Sequence, residues 1–302
     1  MASFFDLSIN GKAYGEGYMD QRYKLLLPVL WVLILILVTA SAVSAATVKI
    51  GGTGFGLEMI RILGDAYRKN HPEVVFVVPP SLGSSGGIKA LMAGALDIAI
   101  SSRPLKENEK AQSLQDVAFL KTPFVLAADP QVDKKFLSIN ELEKIYRGEI
   151  KSWPDGSRLR LILRPKSESD TKMIIGLSPE MGAAVAAAHK KEGLILAIND
   201  QDNALALTTT PGALGFASLC QILTERLNLN VLVFNNLTPT IDALADGSYP
   251  LSKTLYLVTT EKPSPLALNF LAFIVSDQAK EIITSYGSLP LTMSQPSFLN
   301  EK

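Results

Sequence analysis

Apolar and polar positions along this chain spell the same order several times: strand, turn, helix, strand. The clearest run covers residues 74–105. Val74-Val75-Phe76-Val77-Val78 reads as a strand, and Gly83-Ser84-Ser85-Gly86-Gly87 as a turn. Ile88-Lys89-Ala90-Leu91-Met92-Ala93 follows as a helix-forming run, and Ile98-Ala99-Ile100 as a second strand ending in Ser101-Ser102-Arg103. That order predicts a βαβ unit. Upstream, residues 47–50 alternate as a short strand and lead into Gly51-Gly52-Thr53-Gly54-Phe55-Gly56. A helix with Leu57, Ile60, Leu63, Ala66 and Tyr67 on one face comes next. A third strand-to-helix turn follows residues 159–163, running from Arg164 to Ser169-Asp170-Thr171 and opening a helix over 172–177.

Two further apolar runs have a different character. Residues 117–128 are strongly apolar, broken only at Lys121-Thr122-Pro123, and residues 254–259 repeat the pattern near the C-terminus. Both predict buried strands passing between two domains, and two such crossings make a hinge. The chain then divides into lobe 1, residues 46–126 and 253–302, and an inserted lobe 2, residues 127–252. Within the insert, residues 139–145 and 183–191 read as helices, and Pro211-Gly212-Ala213-Leu214-Gly215-Phe216 as a turn entering a strand. Residues 265–285 read as one or two closing helices, with Leu268, Leu271, Ala272 and Val275 as the apolar face.

The first 45 residues belong to another physical class. Lys12, Arg22 and Lys24 precede an apolar run over residues 25–38, and small residues follow, ending in Val43-Ser44-Ala45. These are the three parts of a secretory signal peptide, with cleavage expected after Ala45 and Met19 as an alternative start. A tilted membrane anchor is the rival reading of the same run. Either way the remainder works outside the cytoplasm, and a periplasmic location is expected.

Composition narrows the function. Lys plus Arg number 29 and Asp plus Glu number 29, for a net charge of zero. The first 45 residues hold three basic side chains (Lys12, Arg22, Lys24) and three acidic ones (Asp6, Glu16, Asp20), so losing them changes nothing. Nucleic-acid binding needs a basic footprint and is excluded on that ground. Cys220 is the only cysteine, which excludes internal disulfides and cysteine-rich metal sites and reads as a small buried hydrophobe. No metal, cofactor or catalytic group is expected.

Candidate chemistry lies at the turns. A helix start carries unpaired N–H groups and the positive end of its dipole, an anion site in outline. Ser84 and Ser85 fit that reading, and they also fit simple helix capping. Arg164 can fork two N–H bonds onto an oxyanion, or it forms an interdomain salt bridge. The first glycine turn lacks the last glycine and the acid of a dinucleotide fingerprint. Gly83-Ser84-Ser85-Gly86-Gly87 also matches the G-x-S-x-G elbow of hydrolases, with Ser85 as nucleophile. The sequence holds two histidines. His71 precedes the serine, and His189 sits in an alanine-rich run with charges at its end, so a triad is poorly served.

Taken in order, these segments resemble the phosphate-binding periplasmic proteins of ABC transporters, the family with the type II periplasmic-binding fold. The resemblance spans nearly all of residues 47–292. It rests on Gly52-Thr53-Gly54-Phe55, Gly83-Ser84-Ser85-Gly86-Gly87-Ile88-Lys89, Asp97-Ile98-Ala99 with Ser101-Ser102-Arg103-Pro104-Leu105, and Ile145-Tyr146-Arg147-Gly148-Glu149-Ile150 with Trp153. Arg164 with Ser169-Asp170-Thr171, Asn199-Asp200, residues 211–216 and Tyr249-Pro250-Leu251 complete it. The resemblance implies a two-lobe α/β protein with two crossing hinge strands, a monomer that closes on inorganic phosphate or a similar oxyanion. It also implies a membrane permease as partner. A receptor module for a membrane sensor is the alternative.

By position the resemblance implies a ligand set of Thr53, Gly54, Phe55, Ser84, Ser85, Gly86, Ser102, Arg103, Arg164, Ser169, Asp170 and Thr171. Two departures stand out. Ser102 occupies a place where some members carry an aspartate that accepts the ligand's proton. Asp170 replaces a glycine in a loop one residue longer than usual. Asp170 therefore reads either as a helix cap or as the displaced proton acceptor.

Overall fold

The computed structural model describes residues 46–292. The expected export segment lies outside them. In chain order the elements are β1 (Ala46–Gly52), a 3-10 turn (Gly54–Gly56), α1 (Leu57–Arg68), β2 (Val74–Val77), α2 (Gly83–Met92), β3 (Ile98–Ser101), α3 (Glu107–Lys110) and β4 (Leu114–Ala128). Then come β5 (Phe136–Leu137), α4 (Ile139–Arg147), β6 (Arg160–Leu163), α5 (Ser169–Ile175), α6 (Pro179–Ala188), β7 (Ile195–Leu196), α7 (Asp200–Thr209), β8 (Ala213–Ser218), α8 (Leu219–Thr224), β9 (Asn230–Phe234) and α9 (Ile241–Ala245). The chain returns through β10 (Ser252–Thr260), α10 (Pro265–Ile274), α11 (Asp277–Ser285) and β11 (Leu289–Pro290).

The strands pair in the order β2-β1-β3-β10-β4-β8-β6-β7. β1 runs parallel to both β2 and β3, as the repeated strand–helix–strand pattern requires. β4 is the strand that joins the two lobes. Leu114 to Pro123 pair antiparallel with β10, and Phe124 to Ala128 pair antiparallel with β8. The change of partner falls at Pro123, whose missing N–H removes one ladder bond.

Each side of that switch has its own core. Ile50, Ile60, Leu63, Ile98, Leu255 and Phe270 gather around the first strands. Beyond the switch, Phe124 and Leu126 face one apolar cluster with Tyr146, Trp153 and Phe216, whereas Val125 and Ala127 face another with Ile162 and Leu207. A sheet covered by helices on both faces buries successive residues in opposite directions, so its strands read as continuous apolar runs. The result is a mixed α/β sheet with β4 passing from one set of cores to the other, as a two-lobe α/β arrangement requires.

Local signals explain individual helices. α4 begins with a capping box: the Ser138 side chain accepts from the Glu141 N–H, and the Glu141 carboxylate accepts from the Ser138 N–H at 3.0 Å. It ends at Gly148 in the left-handed region, φ 77°. α10 departs from expectation. Its inward residues are Ala267, Phe270, Leu271 and Ile274, a face rotated from the expected one, with Ala272 exposed. Its one polar residue, Asn269, is exposed, and a single polar position is too weak a stripe to mark the outer side from sequence.

Close approach positions the first two turns. A Cβ on Gly87 would sit 2.6 Å from the Gly52 Cα, so the start of α2 rests directly on the end of β1.

Candidate ligand-binding site

A cleft of about 400 Å³ opens between the two lobes. One wall holds Thr53, the first turn of α2 (Ser84, Ser85, Gly86), Ser102 and Arg103 after β3, and Lys253 at the start of β10. Facing them are Arg164 after β6, Ser169 and Asp170 at the head of α5, and Asp200 at the head of α7. Nine of the twelve expected ligands thus line one cavity.

The serines form a chain across it. The Ser84 hydroxyl accepts from the Ser102 N–H at 2.9 Å and lies 3.0 Å from the Ser102 hydroxyl. The Ser102 hydroxyl is in turn 3.4 Å from that of Ser169, on the other lobe. Neither Ser84 nor Ser85 caps α2: the N-cap is Leu82, with no side-chain bond. The first-turn N–H groups of α2 therefore have no acceptor within the helix. Arg103 stands at the rim. Its guanidinium is held bidentately by Glu109 at 2.7 Å through each nitrogen, and also donates to Ser85 Oγ at 3.2 Å.

Three expected ligands lie elsewhere. Phe55 is buried, and its N–H donates to Asp200 Oδ2 at 3.0 Å. The Gly54 carbonyl accepts from Gln201 Nε2 at 3.0 Å. Thr171 is buried behind the cleft, where its hydroxyl donates to the Arg164 carbonyl at 3.1 Å and steadies the arginine's backbone. The first turn of a short helix points residues in several directions, and Thr171 is on the inward side.

The floor of the cleft is a buried ionic cluster. Lys253 Nζ lies 2.8 Å from Asp170 Oδ1 and 3.3 Å from Asp200 Oδ1. It also sits 4.5 Å from the centre of the Phe55 ring. Arg164 is 6% exposed; its Nη2 is 3.7 Å from Asp200 Oδ1 and its Nε 3.8 Å from Asp170 Oδ2. Its Nη1 donates to the Ala197 carbonyl at 3.1 Å, whereas Nε is buried with no hydrogen-bond partner. A buried guanidinium N–H left open is costly unless something else fills it. Burial opposes ionisation of Asp200, but the Lys253 ammonium, the Arg164 guanidinium and the Phe55 N–H hold its carboxyl below the ordinary value. Burial likewise opposes the Lys253 charge, and Asp170 and Asp200 override it, raising the ammonium's pKa. Asp170 is not a cap: the N-cap of α5 is Glu168.

Asp200 and Lys253 carry much of this electrostatic structure, and neither was assigned a part from sequence. Asn199-Asp200 stood out as a turn and as a segment of the family resemblance, with no ligand role given to either, and Asn199 does cap α7 by accepting from the Asp202 N–H. For Lys253 the usable signal was a lone charge entering an apolar strand, where a lysine is rarely buried without a partner.

A family model described as a PBP superfamily domain matches residues 37–278. The chain belongs to the PBP superfamily. Among relatives, the phosphate-binding protein PstS of Bacillus subtilis (strain 168) is 24% identical over 258 residues, 82% of either chain. That of Borreliella burgdorferi is 26% identical over 217 residues, covering 68% of this chain and 77% of the other. In three dimensions the chain is similar to a substrate-binding protein from Clostridium perfringens with bound phosphate. The TM-score there is 0.67 at 19% identity, over 82% of this chain and 100% of that one. An ABC-type phosphate transport receptor from Vibrio cholerae gives 0.56 at 22% identity, over 80% and 99%. At those identities the structural likeness carries the superfamily's fold.

Proposed function

We propose that this protein is an exported solute-binding protein that captures an inorganic oxyanion, phosphate, between its lobes and presents it to the permease of an ABC transporter. The single observation that carries this reading is the buried Arg164 Nε, which has no hydrogen-bond partner, at a cleft lined with hydroxyls and a helix start. Relatives named phosphate-binding proteins over most of the chain support the choice of anion. We assign lobe 1 to residues 46–126 and 253–302 and lobe 2 to 127–252. The switch of β4 from β10 to β8 at Pro123 and Phe124 supports a division within this strand, three residues before that boundary. The ligand set is Arg164 with Ser84, Ser102, Ser169, Thr53 and the first-turn N–H groups of α2. Asp170 faces the same space and is the carboxylate available to accept a ligand proton.

Charge-assisted hydrogen bonds contribute about 1.5–3 kcal/mol each net. A few of them, with helix-terminus effects of about 0.3–1 kcal/mol, reach micromolar affinity, about −8 kcal/mol. Binding shifts the population from open to closed lobes. The reading has no catalytic step. The ring nitrogens of His189 lie against the backbone carbonyls of Val185 and Arg164 at 2.9 and 3.0 Å, and Ser85 Oγ accepts from Arg103. Neither group is arranged as a nucleophile and its base.

Isothermal calorimetry of the purified chain with phosphate, arsenate, sulfate and molybdate tests the proposal. Saturable heat with phosphate, and little with sulfate, is the expected result. Sulfate or molybdate bound more tightly than phosphate would overturn the choice of ligand, and no heat with any of the four would overturn the function.

A further inference from the structure

The donors that Asp200 holds are unusual for a structural carboxylate. Oδ2 accepts from the Phe55 N–H at 3.0 Å and from the Thr53 hydroxyl at 3.3 Å. Oδ1 accepts from Lys253 Nζ at 3.3 Å and lies 3.7 Å from Arg164 Nη2. A backbone N–H beside a glycine turn, a hydroxyl, an ammonium and a guanidinium form a donor set suited to a small oxyanion. Asp200 belongs to the insert, whereas Thr53, Phe55 and Lys253 belong to lobe 1 by the division above. Gln201 adds a second tie by donating to the Gly54 carbonyl at 3.0 Å. The carboxylate thus bridges the lobes where a ligand would.

We infer that Asp200 is a built-in competitor: its carboxylate occupies oxyanion donors of the first glycine turn, and an incoming anion binds by taking those donors over. This rests on the phosphate reading and deepens it. The charge count points the same way. Arg164 and Lys253 are already balanced by the buried Asp170 and Asp200, and Glu168 lies 3.6 Å from Arg164 Nη2 at the cleft, so an added anion meets three carboxylates as well as two cations. Like charges held close in a desolvated site repel strongly. Displacing one carboxylate from the donors relieves that repulsion and frees the Phe55 and Thr53 groups together.

The variant Asp200→Asn keeps the side chain's shape and removes its charge. Calorimetry with inorganic phosphate on both proteins should show the variant binding about tenfold more tightly. Its ligand-free unfolding midpoint should fall, because two buried cations lose a counter-charge, and saturating phosphate should raise that midpoint further than it does for the wild type. A purely bracing Asp200 predicts the reverse, so a variant that binds phosphate equally or more weakly overturns the inference while leaving the wild type's function intact. Absence of binding by both proteins overturns the function and the inference together. If the variant does not fold, nuclear magnetic resonance on the wild type decides. The Phe55 amide and the Asp200 carboxyl carbon should both shift as phosphate saturates the protein, and an Asp200 carbon that stays still sinks the idea.

Discussion

Two glycine-rich turns begin helices on the same lobe, and the sequence makes them look alike. Gly51 to Gly56 and Gly83 to Gly87 each follow a strand of the same parallel sheet. The second keeps its helix start open: Ser84, Ser85 and Gly86 face the cleft, and no side chain caps them. The first is closed. Its Phe55 N–H, its Thr53 hydroxyl and its Gly54 carbonyl all engage Asp200 or Gln201 from the other lobe. One turn is a receiving surface and the other is a joint. The motif fixes the geometry of donors, but what satisfies them is decided by a residue about 145 positions away.

The comparison breaks most severely if the shared cations are removed. Lys253→Met leaves Asp170 and Asp200 facing each other, and loss of one partner from a buried pair costs about 3–5 kcal/mol. Chemical denaturation at pH 7 should show that loss. Arg164→Met should abolish phosphate binding, a weakening of about 100-fold or more, because the open turn keeps its N–H groups but loses the guanidinium.

The contact between the turns is sharpened by Gly87→Ala. A methyl 2.6 Å from the Gly52 Cα forces the start of α2 away from β1, with an expected loss of about 1–3 kcal/mol in thermal or chemical unfolding. A milder probe is Ser84→Ala, which deletes the acceptor of the Ser102 N–H. It should weaken phosphate binding about tenfold, with a stability change of about 1 kcal/mol.

The smallest effect is in acid. Asp200's carboxyl is held below its ordinary value of 3.8, so its stabilising contribution is complete above that value and is lost as pH falls through the lower, folded one. Asp200→Asn should flatten this part of the stability profile below about pH 4, measured by thermal unfolding across pH.

Much of the scaffold was legible because the apolar runs are long and their breaks are sharp. The two apolar crossing runs, the βαβ order and the helix over residues 139–145 all follow from local pattern. The face of α10 was legible only at Leu271, since its single polar residue, Asn269, is too little to fix an outer side. Among the residues lining the cleft, Ser84 and Arg164 stood out at strand-to-helix turns, whereas Ser102, Ser169 and Asp170 were placed there by the family resemblance. Lys253 was missed because it lies inside a strand, and strands were read as scaffold. Phe55 was expected as a donor to ligand, and its N–H is spent on Asp200. Periodicity shows which residues face inward but not which buried charge they meet there.

The register of β10 gives Lys253 a mechanical place as well as an electrostatic one. It lies opposite Thr122, one position before Pro123 and the strand's change of partner. On the proposed division, a rotation between lobes would pivot near that point, so the ammonium would sit close to the axle and travel least. The Ser102–Ser169 contact, by contrast, joins the two walls of the cleft. Opening the molecule should part those serines early, while Lys253 keeps both aspartates in reach like the pin of a clasp.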